Sequence, residues 1–124
     1  MFEKIGKIES TMLGVEDHGI MSFYLMFNFG GSGQGFGGYS LDDYDKNEEQ
    51  RIGTAAGLDL IMGILKACGV GKWEDIKGKT MYALYDKEDY GEMIKGIKAL
   101  PFEKGGMFLI NEWQSKWFAK EEQM

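Results

Sequence analysis

The 124-residue chain is 44% hydrophobic and 14% aromatic, carries a formal net charge of -6 and has one cysteine. That apolar content excludes a disordered chain and suffices for a single domain over residues 1–124 with a core of its own. The acidic balance excludes a protein that coats duplex DNA, because Lys and Arg neutralising phosphates supply most of that affinity, and the lone Cys68 excludes an internal disulfide.

Residues 5–16 alternate imperfectly, Ile5, Lys7, Glu9 and Met12 against Ile8, Thr11, Leu13 and Val15, which predicts a strand bulged near Ser10 and Thr11. Asp17, His18 and Gly19 supply a reversal. The strongest strand pattern is 20–29, with Met21, Phe23, Leu25, Phe27 and Phe29 on an expected core face and Ser22, Tyr24, Met26 and Asn28 on the other. Six glycines follow between Gly30 and Gly38. Glycine loses the most entropy on ordering, so this density means either a close backbone approach or a mobile loop. A short third strand is expected over 35–41.

Residues 42–50 hold five acids against Lys46, and Asn47 with Gln50 resembles a helix-opening capping box. A helix is therefore expected to run to Cys68, with Ile52, Ala55, Ala56, Leu58, Ile61 and Leu65 on its apolar stripe and Gly69 as its left-handed stop. One helical turn at 73–76, a strand at 79–85, a turn at 86–91 and a strand at 92–100 follow, the last broken by Pro101. Residues 107–118, carrying Trp113, Trp117 and Phe118, read as a strand or an amphipathic helix. The order of three strands, a helix, two strands and an aromatic C-terminal segment predicts an α+β fold, either a small curved antiparallel sheet or an OB-like half-open barrel. No apolar run approaches the ~18 residues of a membrane span, and the first residues lack a signal peptide's apolar core, so a cytoplasmic location is expected.

Glu16-Asp17-His18-Gly19, the segment Gly30-Gly31-Ser32-Gly33-Gln34-Gly35-Phe36-Gly37-Gly38-Tyr39, and Gly69-Val70 followed by Trp73-Glu74-Asp75-Ile76-Lys77-Gly78-Lys79 resemble a group of small, functionally unassigned proteins of tailed phages and prophages. The likeness spans most of the chain and departs after Ile97, where 101–106 reads as an insertion. It implies a phage context, in which small accessory proteins often antagonise host defence, and it transfers no site residue.

Gly33, Gly35 and Gly38 satisfy the glycine spacing of a dinucleotide-binding turn after a strand. No helix follows directly, and Asp42, Asp43 and Asp45 would repel a phosphate, so a structural role for the glycines is preferred. Gly78-Lys79-Thr80 lacks the upstream glycine of a phosphate loop. His18 has no positioned nucleophile beside it, Cys68 sits on the apolar stripe, and no metal-ligand spacing occurs, so no catalytic residue, cofactor or metal is expected.

The leading expectation is thus a non-enzymatic binding protein, an anti-CRISPR-like antagonist of host defence acting by protein contact. Phe36 and Tyr39 would supply contact area, and Asp42, Asp43, Glu48 and Glu49 would steer toward a basic, nucleic-acid-handling host protein. The alternative is a binder of single-stranded nucleic acid or a nucleotide through Gly33, Gly35 and Gly38 together with Tyr24 and Tyr82. A homodimer and a virion component stay open.

Overall fold

β1 (Phe2–Val15) serves two neighbours in turn: its first half pairs with β6 (Thr80–Tyr85), from Phe2 opposite Tyr85 to Lys7 opposite Thr80, and its second half with β2 (Met21–Asn28). The register slips between Ile8 and Ser10, close to where the broken alternation predicts a bulge. In this computed structural model, which describes residues 1–88 and 91–118, β3 (Gly33–Gly37), β7 (Gly96–Lys98) and β8 (Met107–Leu109) complete a six-stranded antiparallel sheet in the order β3-β2-β1-β6-β7-β8. β4 (Asp42–Asp45) and β5 (Gln50–Gly53) form a separate two-stranded sheet. The fold is α+β, as the element order predicts. The six-stranded sheet is open, its edges β3 and β8 sharing no ladder, so the barrel alternative does not close.

One face of the sheet is the core. Phe23, Leu25 and Phe27 of β2 are fully buried there, matching the face read from alternation, with Ile8, Phe36, Met81 and Ile97 beside them. Each such side chain contributes ~1.5–3 kcal/mol by leaving water. α1 (Ala55–Cys68) covers part of this face with Leu60, Ile64, Ala67 and Cys68, and Gly63 lets the Phe108 ring sit within 2.8 Å of where a Cβ would stand. α2 (Ile110–Phe118) locks onto α1: the Trp113 indole N–H donates to the Ala56 carbonyl at 2.8 Å, and Asp59 accepts from Trp117 and Lys116.

The helix does not start at the expected capping box. Asn47 and Glu48 donate their N–H groups to the Asp45 carboxylate, which makes a hairpin turn, and Ile52 lies exposed in a strand. Thr54 is the cap, accepting from Gly57 at 2.9 Å, and the competing turn chemistry of Asp45 outweighs the Asn47-Gln50 pairing. Gly69 closes the helix in the left-handed region, as expected. The expected strand at 92–100 shrinks to Gly96–Lys98, and 107–118 proves to be both a strand and a helix. Asp89 and Tyr90 of the expected turn at 86–91 lie outside the described residues.

The glycine segment acquires a clear role. β3 pairs with β2 so that Gly33, Gly35 and Gly37 oppose Asn28, Met26 and Tyr24, while Gln34 and Phe36 oppose the core residues Phe27 and Leu25. Its outer face is therefore bare backbone. A Cβ on Gly35 would stand 2.8 Å from the Met26 sulfur, and one on Gly38 2.8 Å from the Tyr24 hydroxyl. Gly37 (φ 149°) and Gly38 (φ 85°) also hold angles that L side chains rarely adopt, and a Cβ on Gly37 would meet the Phe23 carbonyl oxygen.

Gly37→Ala combines backbone strain with a backbone collision and should lower stability by ~2–4 kcal/mol. Gly31→Ala, at φ 134° but with open space around it, should lower it by only about 1 kcal/mol. Chemical denaturation of the two variants checks the ranking, and equal losses would mean that the close approach at Gly37 carries no energy.

Candidate functional site

Two surfaces bring candidate residues together. The first is the β4–β5 hairpin. Asp42 opens it with a carboxylate only 8% exposed, which accepts from Arg51 Nε and Nη2, both at 2.9 Å, and from the Met21 N–H at 3.1 Å. The Arg51 hydrogen bonds hold the Asp42 carboxyl at about 2, against the upward push of its burial. The ion pair joins β4 to β5, and the bond from the Met21 N–H ties the same carboxylate to the start of β2. Beyond it, Asp43, Tyr44, Glu48, Glu49 and Ile52 are exposed, Tyr44 at 56% and Ile52 at 41%. Glu49 takes a left-handed backbone angle, φ 54°, the one non-glycine among the described residues to do so.

Asp43, Glu48 and Glu49 therefore stand on the surface where a steering role needs them. The other three expected contact residues do not. Phe36 is 1% exposed, its ring edge-on to Phe23 and 6.4 Å from Phe108, so it packs the core. Tyr39 stacks on Phe23 and tilts against Phe36, and burial pushes its hydroxyl pKa up. Asp42 is an anchor, because a carboxylate engaged by a guanidinium and a backbone N–H has no field left to steer with. A pocket of about 220 Å³ at the hairpin base, between Asp42 and Trp113, falls below the ~300 Å³ from which small-molecule sites usually begin.

The residues of the nucleic-acid alternative are not gathered. Tyr24 lies opposite Met12 and Tyr82 opposite Ile5, which sets them seven residue steps apart along β1, roughly 23 Å. Successive bases stack a few ångströms apart, so these two rings do not form one platform. Gly35 and Gly38 lie beneath Met26 and Tyr24 and cradle nothing. Cys68 is a buried thiol whose pKa is pushed up to about 12 by desolvation, the behaviour of a packed side chain. Among the described residues no cluster of His, Cys, Asp and Glu converges as a metal site would, and no helix is long and apolar enough to cross a membrane.

The second surface is a cleft of about 560 Å³ at one end of the sheet's inner face, lined in part by Phe2, Lys4, Phe29, Gln34, Tyr85 and Glu92. It exists because β2 ends at Asn28, opposite Lys7, while β1 runs on to Phe2 beside β6. Gln34 is fixed at both ends of its amide: Oε1 accepts from the Tyr85 hydroxyl at 2.7 Å and Nε2 donates to the Glu92 carbonyl at 2.8 Å. Lys4 Nζ stands 4.3 Å from the centre of the Phe29 ring, whose other neighbour is the parallel Phe27 ring. Of the expected ligand residues only Gly33 reaches this cleft. Gln34 escapes a reading by glycine spacing, yet strand parity would find it: it shares a face with Phe36 as soon as β3 is placed at Gly33–Gly37.

The chain matches no protein-family model, no curated protein and no solved structure. Function is therefore read from these two surfaces.

The Asp42–Arg51 pair has a pH signature. A carboxyl whose folded pKa lies below its ordinary 3.8 adds stability that is full above that value and is lost as pH falls through about 2. Asp42→Asn should lower stability at neutral pH by ~1–3 kcal/mol, and its deficit relative to wild type should shrink between about pH 4 and pH 2. Thermal melts of both proteins across that range measure it, and a deficit constant with pH would assign the loss to packing.

Proposed function

We propose that this chain is a non-catalytic phage accessory protein that works by protein contact in the host cytoplasm, antagonising a host defence system as an anti-CRISPR-like inhibitor does, with the β4–β5 hairpin as its contact surface. The observation that carries the reading is the anchored hairpin itself: a separate two-stranded sheet tied to β2 through the nearly buried Asp42 carboxylate, presenting Ile52 beside Asp43 on one face, Tyr44 on the other, and Glu48 and Glu49 at its turn. An exposed apolar side chain beside acids suits a basic partner, for Ile52 next to Asp43 supplies desolvated contact and the acids speed encounter. Glu49 supports the reading further. Glycine would hold its left-handed angle without strain, so a carboxylate is kept there at a penalty of about 1 kcal/mol. The open sheet covered by α1 is compatible with an OB-like half-open architecture, in which the hairpin is an elaboration of the connection between the third sheet strand and the helix.

The reading is tested with the triple variant Asp43→Lys, Glu48→Lys, Glu49→Lys. All three side chains are exposed, so the melting temperature should stay within a few degrees of wild type. Expressed in a host that carries a nucleic-acid-targeting defence, wild type should restore phage plating and the variant should not. Association with the captured defence protein should slow about tenfold at low salt and lose much of its salt dependence. A folded variant that restores plating as well as wild type does would refute the role of the hairpin.

A further inference from the structure

We propose that the cleft between Phe2, Gln34 and Tyr85 is a binding site for a nucleotide-sized aromatic ligand carrying a single anionic group. The site is separate from the hairpin, no residue of which lines it. Its volume, about 560 Å³, lies inside the usual range of small-molecule sites. Phe2 and Tyr85, with ring centres 6.1 Å apart, form an apolar wall for a flat ring. Gln34 is pre-organised by its two hydrogen bonds, so the polar floor does not reorganise when a ligand arrives. The Tyr85 hydroxyl, having donated to Gln34, keeps an acceptor lone pair for a donor such as the exocyclic amine of a base.

The anionic requirement follows from Lys4. Its ammonium is held over the face of Phe29 at the edge of the cleft, a charge already placed for a carboxylate or a phosphate. The limit to one anionic group follows from the rest of the lining. Glu88 and Glu92 line the same cleft as Lys4 and Lys87, so a polyphosphate tail would meet carboxylates as well as ammonium groups.

Titration calorimetry of the full chain with adenosine 5′-monophosphate and with 2-naphthoate, together with amide chemical-shift mapping, tests the site. At least one of the two should bind, with shifts centred on Ser32, Gly33, Gln34 and Tyr85. If it is the nucleotide, uncharged adenosine should bind about tenfold more weakly and adenosine triphosphate no more tightly than the monophosphate. Lys4→Met, which keeps the stem and removes the charge, should weaken binding about tenfold at an unchanged melting temperature. Should that variant unfold, the comparison of each anion with its uncharged counterpart, adenosine or naphthalene methanol, carries the same test on wild type. No binding of either probe at millimolar concentration, shifts centred elsewhere, equal affinity for charged and uncharged ligands, or tighter binding of the triphosphate would each overturn the proposal.

Discussion

The structure turns on one strand whose two faces are made of different material. β3 presents Gln34 and Phe36 inward and only glycine outward, and the outward glycines let Met26 and Tyr24 of the neighbouring strand lie across it. A large side chain at Gly35 would displace the Met26 thioether, and one at Gly38 would strike Tyr24. Such cover also protects an edge. Glycine leaves a strand weak and its backbone open to pairing, and apolar side chains of the next strand laid over it restore part of what the missing side chains would supply. Because Gly37 and Gly38 turn the chain immediately afterwards, the same segment delivers Tyr39 to the core and Asp42 to its anchor.

From that strand the two ends of the molecule take different characters. Toward its start, Gly33 and Gln34 border a cleft with aromatic walls and a lysine held over a ring. Past its end, the chain enters a hairpin whose outward groups include the acids Asp43, Glu48 and Glu49, with Ile52 beside Asp43 on one face and Tyr44 on the other. The anchor at Asp42 is what makes the second end usable. Without the guanidinium of Arg51, a nearly buried carboxylate would keep only the Met21 N–H and the Ser40 hydroxyl as donors, and the two strands of the hairpin would lose the ion pair that joins them.

Much of this is legible in the sequence where a pattern is local. The alternation over 20–29 identifies the core face of β2 correctly because inward and outward residues differ sharply in polarity. The apolar repeat from Ala56 to Cys68 and the glycine after it identify α1 and its end, since helix periodicity and a left-handed stop are both short-range signals. The hairpin is hidden for the opposite reason. Asp42, Asp43, Asp45, Glu48 and Glu49 read as a solvated acidic turn, and nothing local says that Arg51 will fold back on Asp42 or that Asp45 will cap a turn in place of Asn47. Phe36 and Tyr39 mislead in the same way. Rings flanking glycines look exposed until the pairing of β3 with β2 fixes which way each residue points. The cleft is the least legible part, for it joins residues as distant in the chain as Lys4, Gln34 and Tyr85.

The claim that neighbouring side chains, and not backbone angles alone, demand the glycines of β3 is tested most directly at Gly35, which has no unusual φ. Alanine at such a strand position is ordinarily neutral or mildly stabilising, because it narrows the unfolded ensemble. A double-mutant cycle of Gly35→Ala with Met26→Ala, read by chemical denaturation, isolates the contact. The account predicts that Gly35→Ala lowers stability by ~1 kcal/mol beside Met26 and is neutral or stabilising beside Ala, a coupling of ~1 kcal/mol or more. The same loss in both backgrounds would contradict it and would place the requirement for glycine in the strand backbone itself.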